Sequence, residues 1–335
     1  MYIRNILVSG LAAVSTVQAY NNDTFGEDEK WIVADPPPVQ KRQFINVLGL
    51  LNNIFGNGGG NNNNNKDDPS ECPAIWTQIS ATLTQQFSAN GECTDAARAA
   101  IRAAFHDCFP GACDGSLILA NECAQAPSRG LQRFCSNLAG VASQTNVGVG
   151  DLIQFAAAHA VKTCPQGPTV PVRIGRQDSS RENDWRILPR GDARGNDVVR
   201  LFSSKGFTPT DLAALLGAHS TAKQQFVDPS QAGAALDSTP GVWDIKYYTE
   251  TLRGNAPFTL PADRNVARNP ATALAFASFG VSKKAWDDAF VVAMVKMGMM
   301  GVTGRNMIDC TSALPKTSAA KSEIKEKRVS GRFMW

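Results

Sequence analysis

Arg102 and His106 stand four residues apart in the run Thr94–Cys108. That spacing puts both side chains on one face of a helix. An imidazole with a near-neutral pKa can move a proton, and a guanidinium that stays charged can stabilise negative charge developing beside it. The small residues between them leave space above that face. The same spacing also occurs where a core histidine merely sits beside an arginine, so the pair alone does not decide the chemistry. The chain has only three histidines, which leaves little room for a multi-histidine metal site.

The second histidine of interest ends an apolar stripe, Leu212, Leu215, Leu216 and His219. Its helix has a strong start signal in Thr208-Pro209-Thr210-Asp211: a capping threonine, proline at the first helical position and an acid at the positive end. A histidine so placed is either a satisfied core residue or a single neutral imidazole offered to a buried haem iron. His159, on the Leu152/Phe155 face of its own helix, reads as structural.

The elements that must position these groups are helical. Ala-rich amphipathic stretches recur at Thr94–Asp107, Asp151–Thr163, Thr210–Ala222 and Ala285–Met300, whereas strand-like alternation is confined to short pieces such as Val170–Ile174. The class is therefore mainly α. Eight cysteines, Cys72, Cys93, Cys108, Cys113, Cys123, Cys135, Cys164 and Cys310, have irregular spacing and no paired CxxC knuckles, which points to disulfides rather than zinc. The net charge of +3 comes from the basic tail, and the body is neutral, so nothing calls for nucleic acid.

The ends divide from this body. Residues 1–19 read as a secretory signal: Arg4, a short apolar run from Ile6 to Val17, and small residues for cleavage at Val17-Gln18-Ala19. Residues 20–42 are acidic and Pro-rich and end at Lys41-Arg42, which reads as a possible pro-segment junction. Residues 43–71 form an Asn/Gly-rich linker, 72–315 the folded domain and 316–335 a basic flexible tail. No stretch is long and apolar enough to span a membrane. The expected location is extracellular.

Several segments together resemble the secreted fungal haem peroxidases of the plant, fungal and bacterial superfamily. Arg102-Ala-Ala-Phe105-His106-Asp107-Cys108-Phe109 followed by Cys113-Asp114-Gly115-Ser116 is similar to their distal helix and Leu215-Leu216-Gly217-Ala218-His219-Ser220 to their proximal one. Gly175-Arg176-Gln177-Asp178 is similar to the haem-contacting segment between. Asp237-Ser238-Thr239-Pro240-Gly241-Val242-Trp243-Asp244 is close to the class II signature.

The resemblance implies two helical halves sandwiching haem b, hydrogen peroxide as oxidant and small aromatic reductants, in a monomer. His219 would be the axial iron ligand and Asp263 its carboxylate partner. His106 would move the peroxide proton, Arg102 would stabilise the transition state, and Phe105 and Arg176 would contact the cofactor. Two calcium ions are implied. One set is Asp107, Asp114 and Ser116 with the carbonyls of Pro110 and Ala112; the other is Ser220, Asp237, Thr239 and Asp244 with the carbonyl of Val242. The implied disulfides are Cys72–Cys310, Cys93–Cys164, Cys108–Cys113 and Cys123–Cys135.

The departures from the family bear on substrate. The distal asparagine that orients the histidine maps to Ser128, with Asn121 and Asn137 as alternatives. The three manganese carboxylates map to Asp95, Ala99 and Gln225, and the ligninolytic surface tryptophan to Ala214. A phenylalanine packed under the haem is Leu236 here. The expectation is a peroxidase of small phenols, one electron at a time, without manganese dependence. Two alternatives stay open: a ligninolytic variant using a relocated residue such as Trp185, Trp243 or Trp286, and a non-catalytic disulfide-stapled surface protein.

Overall fold

A computed structural model describes residues 71–303 and 307–316. The signal, the pro-segment, nearly all of the linker and the tail after Lys316 lie outside these residues. Eleven α-helices occur among them. Those of the N-terminal half are α1 Ala74–Phe87, α2 Asp95–Cys108, α3 Ser116–Leu119, α4 Gln132–Thr145 and α5 Val149–Thr163. Those of the C-terminal half are α6 Gly195–Ser204, α7 Pro209–Leu216, α8 Lys246–Arg253, α9 Pro261–Ala267, α10 Ala273–Phe279 and α11 Lys283–Met297. Strand structure is limited to two antiparallel pairs of two-residue strands, Ser88–Ala89 with Glu92–Cys93 and Arg173–Ile174 with Ile308–Asp309. The expected strand over Val170–Ile174 thus shrinks to its last two residues.

Side-chain size explains the packing. Helix α2 lies most closely on α5. Ala97, Ala100, Ala103 and Ala104 on one helix and Ala156, Ala157 and Ala160 on the other are all fully buried. Alanine faces let two helices approach closely at little side-chain entropy cost. In the other half α7 packs on α11. Ala213 and Ala214 leave room there for Trp286 and Phe290, which are wholly buried. Thr94 caps α2 by accepting from Ala97 N. Thr208 and Asp211 form a complete capping box on α7.

The disulfides are Cys72–Cys310, Cys93–Cys164, Cys108–Cys113 and Cys123–Cys135, the four pairs the resemblance implies, and no cysteine is free among the described residues. Cys108–Cys113 closes the turn that ends α2, and Cys93–Cys164 ties the start of α2 to the end of α5. No helix among the described residues is long and apolar enough to cross a membrane.

Candidate active site

Helix α2 presents Arg102 and His106 side by side, with Arg102 Nε donating to His106 Nε2 at 3.1 Å. The guanidinium is held from behind by two carbonyls of the following loop, Arg129 O at 2.9 Å and Pro127 O at 2.6 Å. On its other side His106 Nδ1 lies 3.2 Å from Ser128 Oγ. Asn121 and Asn137 make no such contact, so the shorter serine holds the position. His106 is 8% exposed. Burial, reinforced by the charge of Arg102, keeps its pKa well below the usual imidazole range. The neutral ring is the form that can accept a proton. Phe105, half-buried, stacks on Phe109 at 4.7 Å and lies edge-on to His106 at 5.9 Å.

The second histidine departs from the expected continuous helix over Thr210–Ala222. The α-helix stops at Leu216, and His219 lies on a 3₁₀ turn, Gly217–Thr221. The cause is competition for carbonyls. Tyr248 Oη donates to Ala213 O at 2.8 Å and Trp286 Nε1 to Ala214 O at 3.0 Å. Those oxygens would otherwise take the next α-helical bonds, so the backbone tightens. Gly217 permits it: a Cβ there would lie 2.2 Å from Trp286 Nε1 and 2.3 Å from Tyr248 Oη.

On that turn His219 Nδ1 meets Asp263 Oδ2 at 2.9 Å. Asp263 belongs to the first turn of α9 and is buried. Burial alone would lower the His219 pKa, but the charge and hydrogen bond of Asp263 outweigh it, and the net shift is upward. The charge of Arg102 also acts on this ring, opposing the rise. With Nδ1 engaged and the side chain 32% exposed, Nε2 is the ring nitrogen left without a protein partner. One imidazole with an unengaged Nε2 and a separate acid–base pair on α2 are groups that would suit a haem: the first could hold it and the second could move a proton beside it.

Two oxygen-rich clusters flank the histidine segments. In the first, Asp107 accepts from Leu117 N at 3.2 Å and Gly115 N at 3.3 Å, and Ser116 and Asp114 stand close by. Burial, with the neighbouring Asp114 and Glu122 carboxylates, raises the Asp107 pKa to about 8 against the pull of those N–H groups. In the second, burial and the carboxylates of Asp244 and Glu250 raise Asp237 to about 7. Thr239 Oγ1 donates to Asp244 Oδ2 at 2.9 Å there. Buried oxygens without a partner occur in both clusters: Glu122 Oε2 in the first, Ser220 Oγ and Asp237 Oδ2 in the second. Crowded carboxylates and orphaned oxygens suit a hard cation. Among the described residues no three His, Cys, Asp or Glu side chains converge as metal ligands, so each set depends on hydroxyls and carbonyls as well. One departure stands out: Lys205 Nζ donates to the Pro110 carbonyl at 3.1 Å, leaving that oxygen one lone pair to offer.

Arg176 makes its hydrogen bonds within the protein and keeps a buried Nε without a partner. Its guanidinium pairs with Asp151 at 2.9 Å and donates to Gly298 O at 2.7 Å, and none of its hydrogen bonds is to Arg102, His106, His219 or Asp263. His159 is a core residue as expected, fully buried and bonded to Thr84, Ser80 O and Thr163. Sequence reasoning missed three participants. Glu122 is a wholly buried carboxylate whose Oε1 accepts from Asn183 N at 2.8 Å. Asn183 donates to Ser116 Oγ at 2.8 Å. Tyr247 sets its ring edge-on to His219 at 5.8 Å. None carries a local motif, and only the fold brings them in.

The family model described as peroxidase matches residues 79–282. A low-redox potential peroxidase of Taiwanofungus camphoratus is 31% identical over 260 residues, covering 72% of this chain and 77% of the relative. A peroxidase of Arthromyces ramosus is 28% identical, covering 73% of this chain and 76% of the relative. Manganese peroxidase 3 of Phlebia radiata is 27% identical, covering 69% and 74%. The Arg102–His106 and His219–Asp263 pairs and these matches lead to one conclusion: the chain belongs to the peroxidase family, as a haem-dependent oxidoreductase related to the fungal class II enzymes.

Proposed function

We propose that this is a secreted peroxidase that oxidises small phenols and related aromatic donors one electron at a time and does not depend on manganese. The observation that carries the reading is the state of Asp95. It is the one carboxylate at the three positions where manganese-oxidising relatives are expected to hold the metal. It already accepts from Arg98 Nε at 3.0 Å and Nη2 at 2.7 Å, and Lys223 Nζ lies 3.6 Å away. Its pKa is lowered, chiefly by the Arg98 hydrogen bond. Ala99 offers no ligand and Gln225 only a neutral carbonyl. A divalent cation there would meet two positive charges and one spoken-for anion.

The roles follow from the site. Haem, when bound, supplies the two-electron reduction of peroxide and the return by single-electron steps. His219 would hold it, with Asp263 keeping the imidazole basic and oriented. His106 Nε2 would take the first peroxide proton and deliver it to the departing oxygen. Arg102, braced by the Pro127 and Arg129 carbonyls, would stabilise the negative charge on that oxygen. Calcium at the two oxygen clusters would brace the ends of the histidine-bearing segments. Four disulfides favour an oxidising compartment, in keeping with secretion.

A relocated tryptophan relay finds little support. Trp243 and Trp286 stack at 4.7 Å but are wholly buried, so a bulky donor cannot touch them. Trp185 is half-buried, with the Arg186 guanidinium over its ring at 4.9 Å. The test is steady-state turnover with peroxide and, in turn, a simple phenol, Mn²⁺ and a non-phenolic aromatic alcohol. Only the phenol should turn over efficiently. Saturable Mn²⁺ oxidation would overturn the manganese argument, and efficient alcohol oxidation that disappears in Trp185→Phe would favour the relay. The absence of a haem absorption band from the purified protein would favour the non-catalytic alternative.

A further inference from the structure

The surface around Gly130, next to Arg102, has a composition that the proposed reaction does not by itself require. Phe226 and Val227 are large apolar side chains, each 45% exposed. They sit on the loop that follows the His219 turn. A Cβ placed on Gly130 would lie 3.3 Å from Phe226 Cε2 and 3.8 Å from Arg102 Nη1, so Phe226 is one glycine away from the distal guanidinium. Gly130 has φ +89°, which a side chain would strain as well as crowd. Val227 borders the Gly191 loop, where a Cβ would lie 2.8 Å from its Cγ2.

The Arg129 guanidinium lies 4.9 Å from the centre of the Phe226 ring. Its Nε donates weakly to Ala126 O at 3.3 Å, and no carboxylate among the described residues lies within ion-pair distance of it. The nearest acid in sequence to Phe226 is Asp228. It keeps its negative charge, with its oxygens accepting from Ser230 N at 3.0 Å, Ser230 Oγ at 2.6 Å and Gln231 Nε2 at 2.7 Å within its own loop. Asp95, on the neighbouring face, is held by Arg98 and Lys223. An exposed aromatic ring next to an unpaired cation accommodates a ligand with an aromatic plane and an anionic group.

We infer that Phe226 and Arg129 form a donor-selecting subsite that favours phenols bearing a carboxylate, the donor ring packing on Phe226 and the carboxylate meeting Arg129. This rests on the phenol-oxidising reading and adds a charge preference to it. The experiment uses the full-length haem-loaded enzyme without peroxide, at pH 7, by titration calorimetry. The ligands are 4-hydroxycinnamate, its methyl ester and tyramine, which are negative, neutral and positive. The acid should bind about fivefold more tightly than the ester, as a partly exposed ion pair allows, and tyramine more weakly than either. Arg129→Gln should raise the acid's Kd to that of the ester and leave the ester's own Kd within about twofold. Arg129→Lys should restore most of the preference. Phe226→Ala should weaken acid and ester alike. Equal affinity for acid and ester in the wild type, or an acid preference that survives Arg129→Gln, would overturn the inference while leaving phenol oxidation intact. Failure of every phenol to turn over with peroxide would instead remove the underlying reading, whatever the binding order.

Discussion

At the scale of single residues, the site depends on what each histidine ring nitrogen engages. His219 gives Nδ1 to Asp263 and keeps Nε2 without a protein partner. His106 gives Nδ1 to Ser128 and keeps Nε2 beside Arg102. The serine is the unusual member. Arg102 donates to Nε2, so Nδ1 carries the hydrogen and the serine hydroxyl accepts it, on a shorter arm than an amide side chain would offer. Ser128→Ala should therefore slow the reaction with peroxide by about tenfold, part of the ~10²–10⁴-fold that a positioned base supplies. Ser128→Asn should preserve or raise that rate. Stopped-flow measurement under single-turnover conditions checks both, and a rate unchanged in Ser128→Ala would remove Ser128 from the positioning of His106.

At the scale of elements, the turn that carries His219 owes its shape to side chains from α8 and α11. Tyr248 and Trp286 claim the carbonyls of Ala213 and Ala214, and only a glycine at 217 lets them reach. Gly217→Ala should force the indole and phenol apart. The overpacking cost should be about 1–3 kcal/mol or more, read as a lower denaturation midpoint. Haem retention on desalting should fall with it, because His219 lies two residues further along. A variant of unchanged stability would mean that the tight turn is not maintained by these contacts. Asp211 adds a tie of its own, capping α7 while pairing with Lys296 of α11 at 3.0 Å.

At the scale of the whole molecule, buried charge and cross-links set the response to conditions. The clusters around Asp107 and Asp237 bring buried carboxylates close together, which costs stability without a cation. Treatment with a calcium chelator should lower the melting temperature and loosen haem, and added Ca²⁺ should restore both. Metal analysis that finds no calcium in fully active protein would refute the two sites. His159 gives a separate pH response. Burial lowers its pKa to about 4, against an ordinary value of 6.5. The unfolded chain therefore takes up a proton as pH falls through 6.5, while the folded one does so only near 4. The resulting stability is present above pH 6.5 and is lost between those values, by about 3 kcal/mol in all. Urea denaturation at pH 7 and pH 4.5 should show the loss, and His159→Gln should reduce it.

What the sequence determined by itself was the set of groups that local spacing can express. The four-residue step from Arg102 to His106, the capping box at Thr208 and the alanine-rich faces are short-range patterns, and each became the element it predicts. The roles of Asp263 and the disulfide partners were legible only through resemblance, since no local rule links residues so far apart. Tertiary structure alone decided the rest. Ser128 rather than Asn121 or Asn137 meets His106 because the loop after α3 is anchored by Cys123–Cys135 and by its carbonyls on Arg102. The helix before His219 tightens because two aromatic hydroxyl and indole donors arrive from distant helices. Glu122, Asn183 and Tyr247 join the site for the same reason. Hydrogen-bond competition and burial act between segments brought together by folding, and a one-dimensional pattern has no means of recording which segments those are.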